Sequence, residues 1–135
     1  MEQTNARAEK AAEYKQSMNC AQAVLMAYQE ELGKTKEELM ALGDAFGLGM
    51  GGMEATCGAL TGAAIVLGLL NNKNGKPSEP SKMLMNRILR DFAAEAGATR
   101  CRDLKGIGTG KVLCACDDCV RIAVRNLEKT LSVRA

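Results

Sequence analysis

The sequence predicts an all-α protein, a single-domain bundle of about five to six helices with glycine-rich loops beside its cysteines. Three observations lead there. Apolar residues recur at steps of three and four along most of the chain, the spacing that lines one face of a helix, and no segment shows the alternation a strand needs. Capping residues mark helix starts and glycines mark helix ends. A chain of 135 residues, 47% of them hydrophobic, can bury one core, and no repeat or composition shift divides 1–135.

Glu2 to Met18 is rich in helix formers, but Ala8, Ala11, Ala12 and Met18 make only a weak apolar stripe, so a solvated N-terminal helix is expected within 1–18. Asn19 caps a second helix carrying Ala21, Val24, Leu25, Tyr28 and Leu32, which Gly33 stops. Thr35 and Glu38 have capping-box spacing, and Leu39, Leu42, Ala45 and Phe46 extend a third helix to Gly47. From Gly47 to Met53 four glycines in six residues exclude regular helix on entropic grounds. A helix from about Glu54 to Leu70 follows, apolar nearly all round and therefore suited to the centre of a bundle, with small residues Gly58, Ala59, Gly62 and Ala63.

Asn71 to Glu79 reads as a loop. Ser78 or Ser81 then caps a helix with Pro80 in its first turn and Met83, Leu84, Ile88, Leu89, Phe92 and Ala96 on its buried face, ending at Gly97. Ala98 to Val112 should be irregular, with one short turn around Arg102 to Lys105. The last helix runs from about Asp117 to Leu131 on Val120, Ala123, Val124, Leu127 and Leu131, with Asp117 and Asp118 complementing its dipole.

Composition excludes several functions. The chain has six cysteines and no histidine, so catalysis through an imidazole, histidine-ligated haem and mixed Cys/His zinc fingers are ruled out. A net charge of +2, with scattered basic residues and only two tyrosines and two phenylalanines as stacking platforms, argues against nucleic-acid binding. Met1 to Lys10 has no apolar signal-peptide core, and Ala59 to Leu70 is too short to span a bilayer, so the expected protein is not membrane-embedded and is cytoplasmic. In that reducing compartment clustered cysteines point to metal, cluster or redox chemistry rather than permanent disulfides.

The positions of the cysteines sharpen this. Cys20 follows the cap Asn19, Cys57 falls in the first turn after the glycine segment, and Cys116 precedes the last helix. Unpaired amides and the helix dipole favour a thiolate at such places, although a small buried core residue is the ordinary fate of a single cysteine. Cys116 and Cys119 form a Cys-x-x-Cys pair beside Cys114, the spacing of a dithiol or of half a metal clasp, with Asp117 and Asp118 opposing thiolate formation. Around Cys101, the charges of Arg100, Arg102 and Lys105 can lower a thiol pKa or simply be solvated. Gly47-Leu48-Gly49-Met50-Gly51-Gly52 matches a dinucleotide fingerprint formally, but no strand precedes it and no nucleotide is expected. Met50, Met53, Met83 and Met85 read as core filler, and Glu54, Asp91 and Asp103 as isolated solvated carboxylates.

Taken together, Asn19-Cys20-Ala21-Gln22-Ala23-Val24, the glycine segment leading into Cys57-Gly58-Ala59-Leu60-Thr61-Gly62, then Cys101-Arg102-Asp103-Leu104, and Cys116 with Val120, resemble the C_GCAxxG_C_C family of redox-active proteins from Ala12 to Leu131. The resemblance implies a small helical protein using four cysteines together, here Cys20, Cys57, Cys101 and Cys116; Cys114 and Cys119 look like additions, and either can substitute as the fourth. A related domain in a split-Soret type cytochrome implies an iron–sulfur centre as one use.

Two mechanisms remain open at this point. Four thiolates can hold an iron–sulfur cluster, with the two-iron type favoured, for electron transfer, or thiol pairs can cycle to disulfides, making the protein an oxidoreductase of unknown substrate. The alternative is a non-redox metal-binding or trafficking module with a closed four-cysteine zinc site. A helical interaction protein with merely buried thiols is the third reading. An unknown redox partner is implied, and the Ala- and Gly-rich central helix suggests a homodimer.

Overall fold

A computed structural model of the chain describes residues 2–134, with side chains from 6 to 132; the ends of the 1–135 domain, Met1 and Ala135, lie outside the described residues. The helices are α1 (Glu2–Lys15), α2 (Cys20–Ala27), α3 (Gln29–Leu32), α4 (Lys36–Gly43), α5 (Gly58–Asn71), α6 (Glu79–Ala96), α7 (Cys101–Lys105) and α8 (Cys116–Arg134). A 3-10 turn at Asp44–Phe46 and a left-handed turn at Gly47–Met50 join α4 to the segment before α5. The described residues thus form an all-α structure, and their pairing of extended backbone is one isolated bridge between Thr56 and Arg100.

The core lies where α2, α5 and α8 meet, with α1 laid across α2 and α8 and with α6 along α5 and α8. Its largest buried side chains include Leu25, Leu60, Leu67, Phe92 and Leu127. No described helix is long and apolar enough to cross a membrane.

Four sequence expectations are corrected. First, α1 is a packed helix rather than a solvated one: Ala8, Ala11 and Ala12 are buried against α2 and α8. Alanines make a faint hydrophobic stripe, yet their short side chains let helix axes approach closely, so the stripe understates the contact. Second, the helix expected to run unbroken to Gly33 breaks at Tyr28 (φ −111°, ψ 15°). There Arg7 Nη1 donates to the Ala27 carbonyl at 2.7 Å, and its guanidinium lies 4.4 Å above the Tyr28 ring. Arg7 also pairs with Glu31 and Glu128, while the Tyr28 hydroxyl donates to Glu128 at 2.9 Å. This network joins α1, α3 and α8, and its partners are too distant in sequence to leave a local signal.

Third, α5 begins at Gly58, not near Glu54, because the backbone before it is used elsewhere. Cys57 N–H donates to Thr99 O at 2.8 Å, and Ala55 O and Met53 O accept from the amides of Cys101 and Arg102, each at 2.9 Å. Nor is α5 buried all round, since Ala64 is exposed and Leu69 and Leu70 are partly so. Its small face is already covered within the chain: a Cβ on Gly62 would lie 2.8 Å from Ala21 O. That removes the reason the sequence offered for a dimer through this helix. Fourth, Ser78 caps α6 as expected, but Met83 is 70% exposed, because the buried face starts at Ile88.

Candidate cysteine redox site

Four helix starts converge on one place. Cys20 is the first residue of α2, fixed by a capping box in which Asn19 Oδ1 accepts from Gln22 N–H at 2.8 Å and Gln22 Oε1 accepts from Asn19 N–H at 3.1 Å. Asn19 Nδ2 also donates to Gly43 O at 3.1 Å, tying this start to the end of α4. Cys57 is the residue before α5 and faces the amides of Ala59 and Leu60. Cys101 opens α7, and Cys116 opens α8 with Cys119 one turn further on. The sequence placed three cysteines at helix starts; α7, one residue longer at its beginning than the expected turn, adds the fourth.

All six cysteines are free thiols, and all six line one cavity of about 280 Å³. Lys15, Asn19, Leu48, Gly49, Leu104 and Lys105 complete much of its wall, to which, among the described residues, no carboxylate contributes. Electrostatically the thiols act on one another in a series, Cys116 with Cys20, Cys20 with Cys57, Cys57 with Cys119, and Cys119 with Cys114. The Cys119 thiol also lies 3.7 Å from Cys114 O. Cys101 stands apart from this series, packed beneath the left-handed turn. A Cβ on Gly49, whose φ is +57°, would meet Cys101 Cβ at 2.6 Å, so this turn can sit on the thiol only because Gly49 has no side chain.

The electrostatics alternate along the series. The Cys20 thiol donating to it, together with the Lys105 ammonium 3.0 Å from its sulfur, outweighs partial burial and holds Cys116 down to about 5. Cys57 is likewise lowered, by the thiols of Cys119 and Cys20 and then by the Ala59 and Leu60 amides. Their neighbours move the other way: Cys20 is raised by the sulfurs of Cys116 and Cys57 and by burial, and Cys119 by the sulfur of Cys57 and by burial. Cys101 and Cys114 are raised chiefly by burial. The shifts thus alternate in direction, down at Cys116 and Cys57 and up at Cys20 and Cys119, with Cys116 the more exposed of the two lowered thiols.

Several sequence readings change here. Lys105 bonds Cys116, eleven residues away, rather than flanking Cys101 alone. Lys15, assigned to a solvated helix, reaches the cavity wall. Cys119, an addition by the family resemblance, is 2% exposed and lines the cavity with the other five cysteines. Asp117 and Asp118 turn to Arg121, at 3.3 and 2.9 Å, which offsets much of the repulsion expected at this helix start. Glu54 is not isolated: Arg102 pairs with it at 2.8 Å and Arg100 lies 3.9 Å away. Met50 is 59% exposed and is not core filler.

All-sulfur donors suit zinc or iron chemically. Among the described residues, however, no three Cys, Asp or Glu side chains converge as ligands of one ion. A closed zinc site of four cysteines would need the sulfurs to draw in on one point, whereas a cluster spreads its ligands around a volume such as this cavity.

The family model described as "Putative redox-active protein (C_GCAxxG_C_C)" matches residues 18–130. The chain belongs to the C_GCAxxG_C_C family. No curated protein and no solved structure matches it. Within the C_GCAxxG_C_C match fall all six cysteines, Lys105 and the glycine turn, so the redox-active description covers the site built above apart from Lys15.

Proposed function

We propose that this C_GCAxxG_C_C protein is a thiol–disulfide oxidoreductase in which Cys116 attacks and Cys20 resolves. The observation that carries the reading is Cys116 itself, a half-buried sulfur at the cavity edge, bonded by the Lys105 ammonium at 3.0 Å, with Cys20 lining the same cavity. A thiolate available near neutral pH is the attacking species in disulfide exchange. The Cys116 thiolate attacks one sulfur of a substrate disulfide and the other half leaves as a thiolate. Cys20 then attacks the Cys116 sulfur, its proton passing to the departing thiolate. The substrate gains two electrons and leaves as one thiolate, which takes its proton from solvent, and one thiol, and Cys20–Cys116 becomes a disulfide. Lys105 holds the charge at the attacking atom, and the cytoplasm supplies the reducing conditions that restore the dithiol.

A second reading is favoured by the cavity, whose six surrounding sulfurs and Lys15 and Lys105 suit an anionic iron–sulfur cluster. Cys20, Cys57, Cys101 and Cys116 would hold it, with Cys119 as a substitute, and it would supply one-electron transfer. One preparation separates the two. Protein purified without oxygen is assayed for absorbance, iron and acid-labile sulfide, then titrated with glutathione disulfide and mapped by mass spectrometry. Colourless, iron-free protein that forms a Cys20–Cys116 disulfide supports dithiol exchange; brown protein with stoichiometric iron and sulfide, and no such disulfide, overturns it.

A further inference from the structure

Cys116 stands between two hollows. The second is a groove of about 320 Å³ between α1 and the start of α8, lined by Glu9, Ala12, Glu13, Gln16, Asp117 and Arg121 together with Lys15 and Cys116. Residues 9, 12, 13 and 16 lie on one face of α1 at helical spacing. Among the described residues, Lys15 and Cys116 alone line both this groove and the cysteine cavity, whereas Cys20 lines the cavity and not the groove.

That division matters for the resolving step. Thiol–disulfide exchange passes through a mixed disulfide, and displacement at sulfur runs in line, with the attacking and leaving sulfurs on opposite sides of the central one. Cys20 attacks from the cavity, so the departing substrate half stands across Cys116 from it, and the hollow available there is the groove. Its charges are not all engaged. Arg121 pairs with Glu9 at 2.9 Å and with Asp117 at 3.3 Å, whereas the half-buried Lys15 and the exposed Glu13 form no ion pair among the described residues. One cation and one carboxylate thus line the groove beside the sulfur, a match for a ligand that carries a carboxylate and an ammonium.

Resting on the exchange reading, we infer that this groove binds the substrate half of the mixed disulfide and selects small disulfides of amino-acid-type thiols, with Lys15 holding the carboxylate and Glu13 the ammonium. A hollow of about 320 Å³ is at the small end of ligand pockets and suits a small thiol. Cys116 attacks the sulfur of the half seated in the groove, and the other half leaves to solvent as a thiolate. Cys20 then bonds to the Cys116 sulfur as the bond from Cys116 to the substrate breaks. The electron pair goes to the substrate sulfur in the groove, which takes the Cys20 proton and leaves as a thiol.

The test uses the reduced full-length chain, purified without oxygen, at physiological ionic strength, where charges more than about 8 Å apart are screened. Formation of Cys20–Cys116 is timed by alkylation and mass spectrometry with cystine, with cystamine, which lacks the carboxylate, and with neutral hydroxyethyl disulfide. Each rate is divided by that of a free model thiol with the same disulfide. On this scale cystine should outrun the other two roughly fivefold, the upper worth of a partly exposed ion pair. K15M should abolish the preference, K15R should keep it and E13Q should reduce it; a ratio of rates cancels any change in Cys116 reactivity itself. K10M, which removes an equal charge from α1 outside the groove, should leave the preference intact. In C20S, cystine should leave half of itself on Cys116, and this adduct should slow acetylation of Lys15 but not of Lys105, which bonds Cys116 from the cavity. The inference is overturned if the three disulfides react alike, if K15M keeps the preference or K10M loses it, or if the adduct shields Lys105 instead of Lys15. If no disulfide oxidises Cys116, the exchange reading falls and this inference with it, whereas oxidation without preference overturns this inference alone.

Discussion

The contact between Lys105 and Cys116 shows how little of a reactive site is visible residue by residue. Both side chains are legible as chemistry-bearing in sequence, but only the return of the chain through Gly106 to Ala115 sets Nζ 3.0 Å from the sulfur. Because Cys116 is held near 5, below its ordinary value of 9.0, its thiolate contributes stability above the unfolded value that is lost as pH falls through about 5. Alkylation of Cys116 by iodoacetamide should therefore stay fast from pH 8 to about 6 and fall off near 5. K105M should raise that midpoint by roughly one pH unit, since one nearby opposite charge is lost; an unmoved midpoint would remove Lys105 from the site. At Gly49, both the left-handed φ and the 2.6 Å approach to Cys101 Cβ oppose any side chain. G49A should cost roughly 1–3 kcal/mol in urea unfolding and expose Cys101 to alkylating reagents.

Elements whose signals are local were legible. The Asn19 and Thr35 capping boxes, the Ser78 cap and the glycine end of α6 all appear where a few neighbouring residues specify them. N19A should cost about 1–2 kcal/mol, because it removes the cap of α2 and the bond to Gly43 O together. Elements governed by distant partners were misread. The start of α5 moved because Met53 to Cys57 pairs with Thr99 to Arg102, and α1 was judged by stripe strength when its alanines pack by closeness. Ala11 is 0% exposed, so A11L should overpack the contact of α1 with α2 and α8 and lose about 1–3 kcal/mol in the same urea assay. A solvated α1 would tolerate that change.

At the scale of the whole molecule, the six thiols divide by depth. Cys114 and Cys116 are partly exposed, while Cys20, Cys57, Cys101 and Cys119 are buried. Native reduced protein should react rapidly with a bulky thiol reagent at the first two only, and at all six in urea, as a thiol count before and after unfolding will show. Equal native rates for all six would contradict the packing around the cavity. The sequence by itself determined the helical class, the all-sulfur character that the absence of histidine imposes, and the placing of reactive residues at helix starts, since periodicity, composition and caps are local properties of the chain. Only the tertiary structure decided which side chains meet: it put all six sulfurs around one cavity, Cys119 among them, set Cys101 under Gly49 and brought Lys105 to Cys116. Such pairings depend on how helices dock, through contacts between residues far apart in sequence, such as Gly62 against Ala21 and Gly49 against Cys101, and no spacing along the chain encodes them.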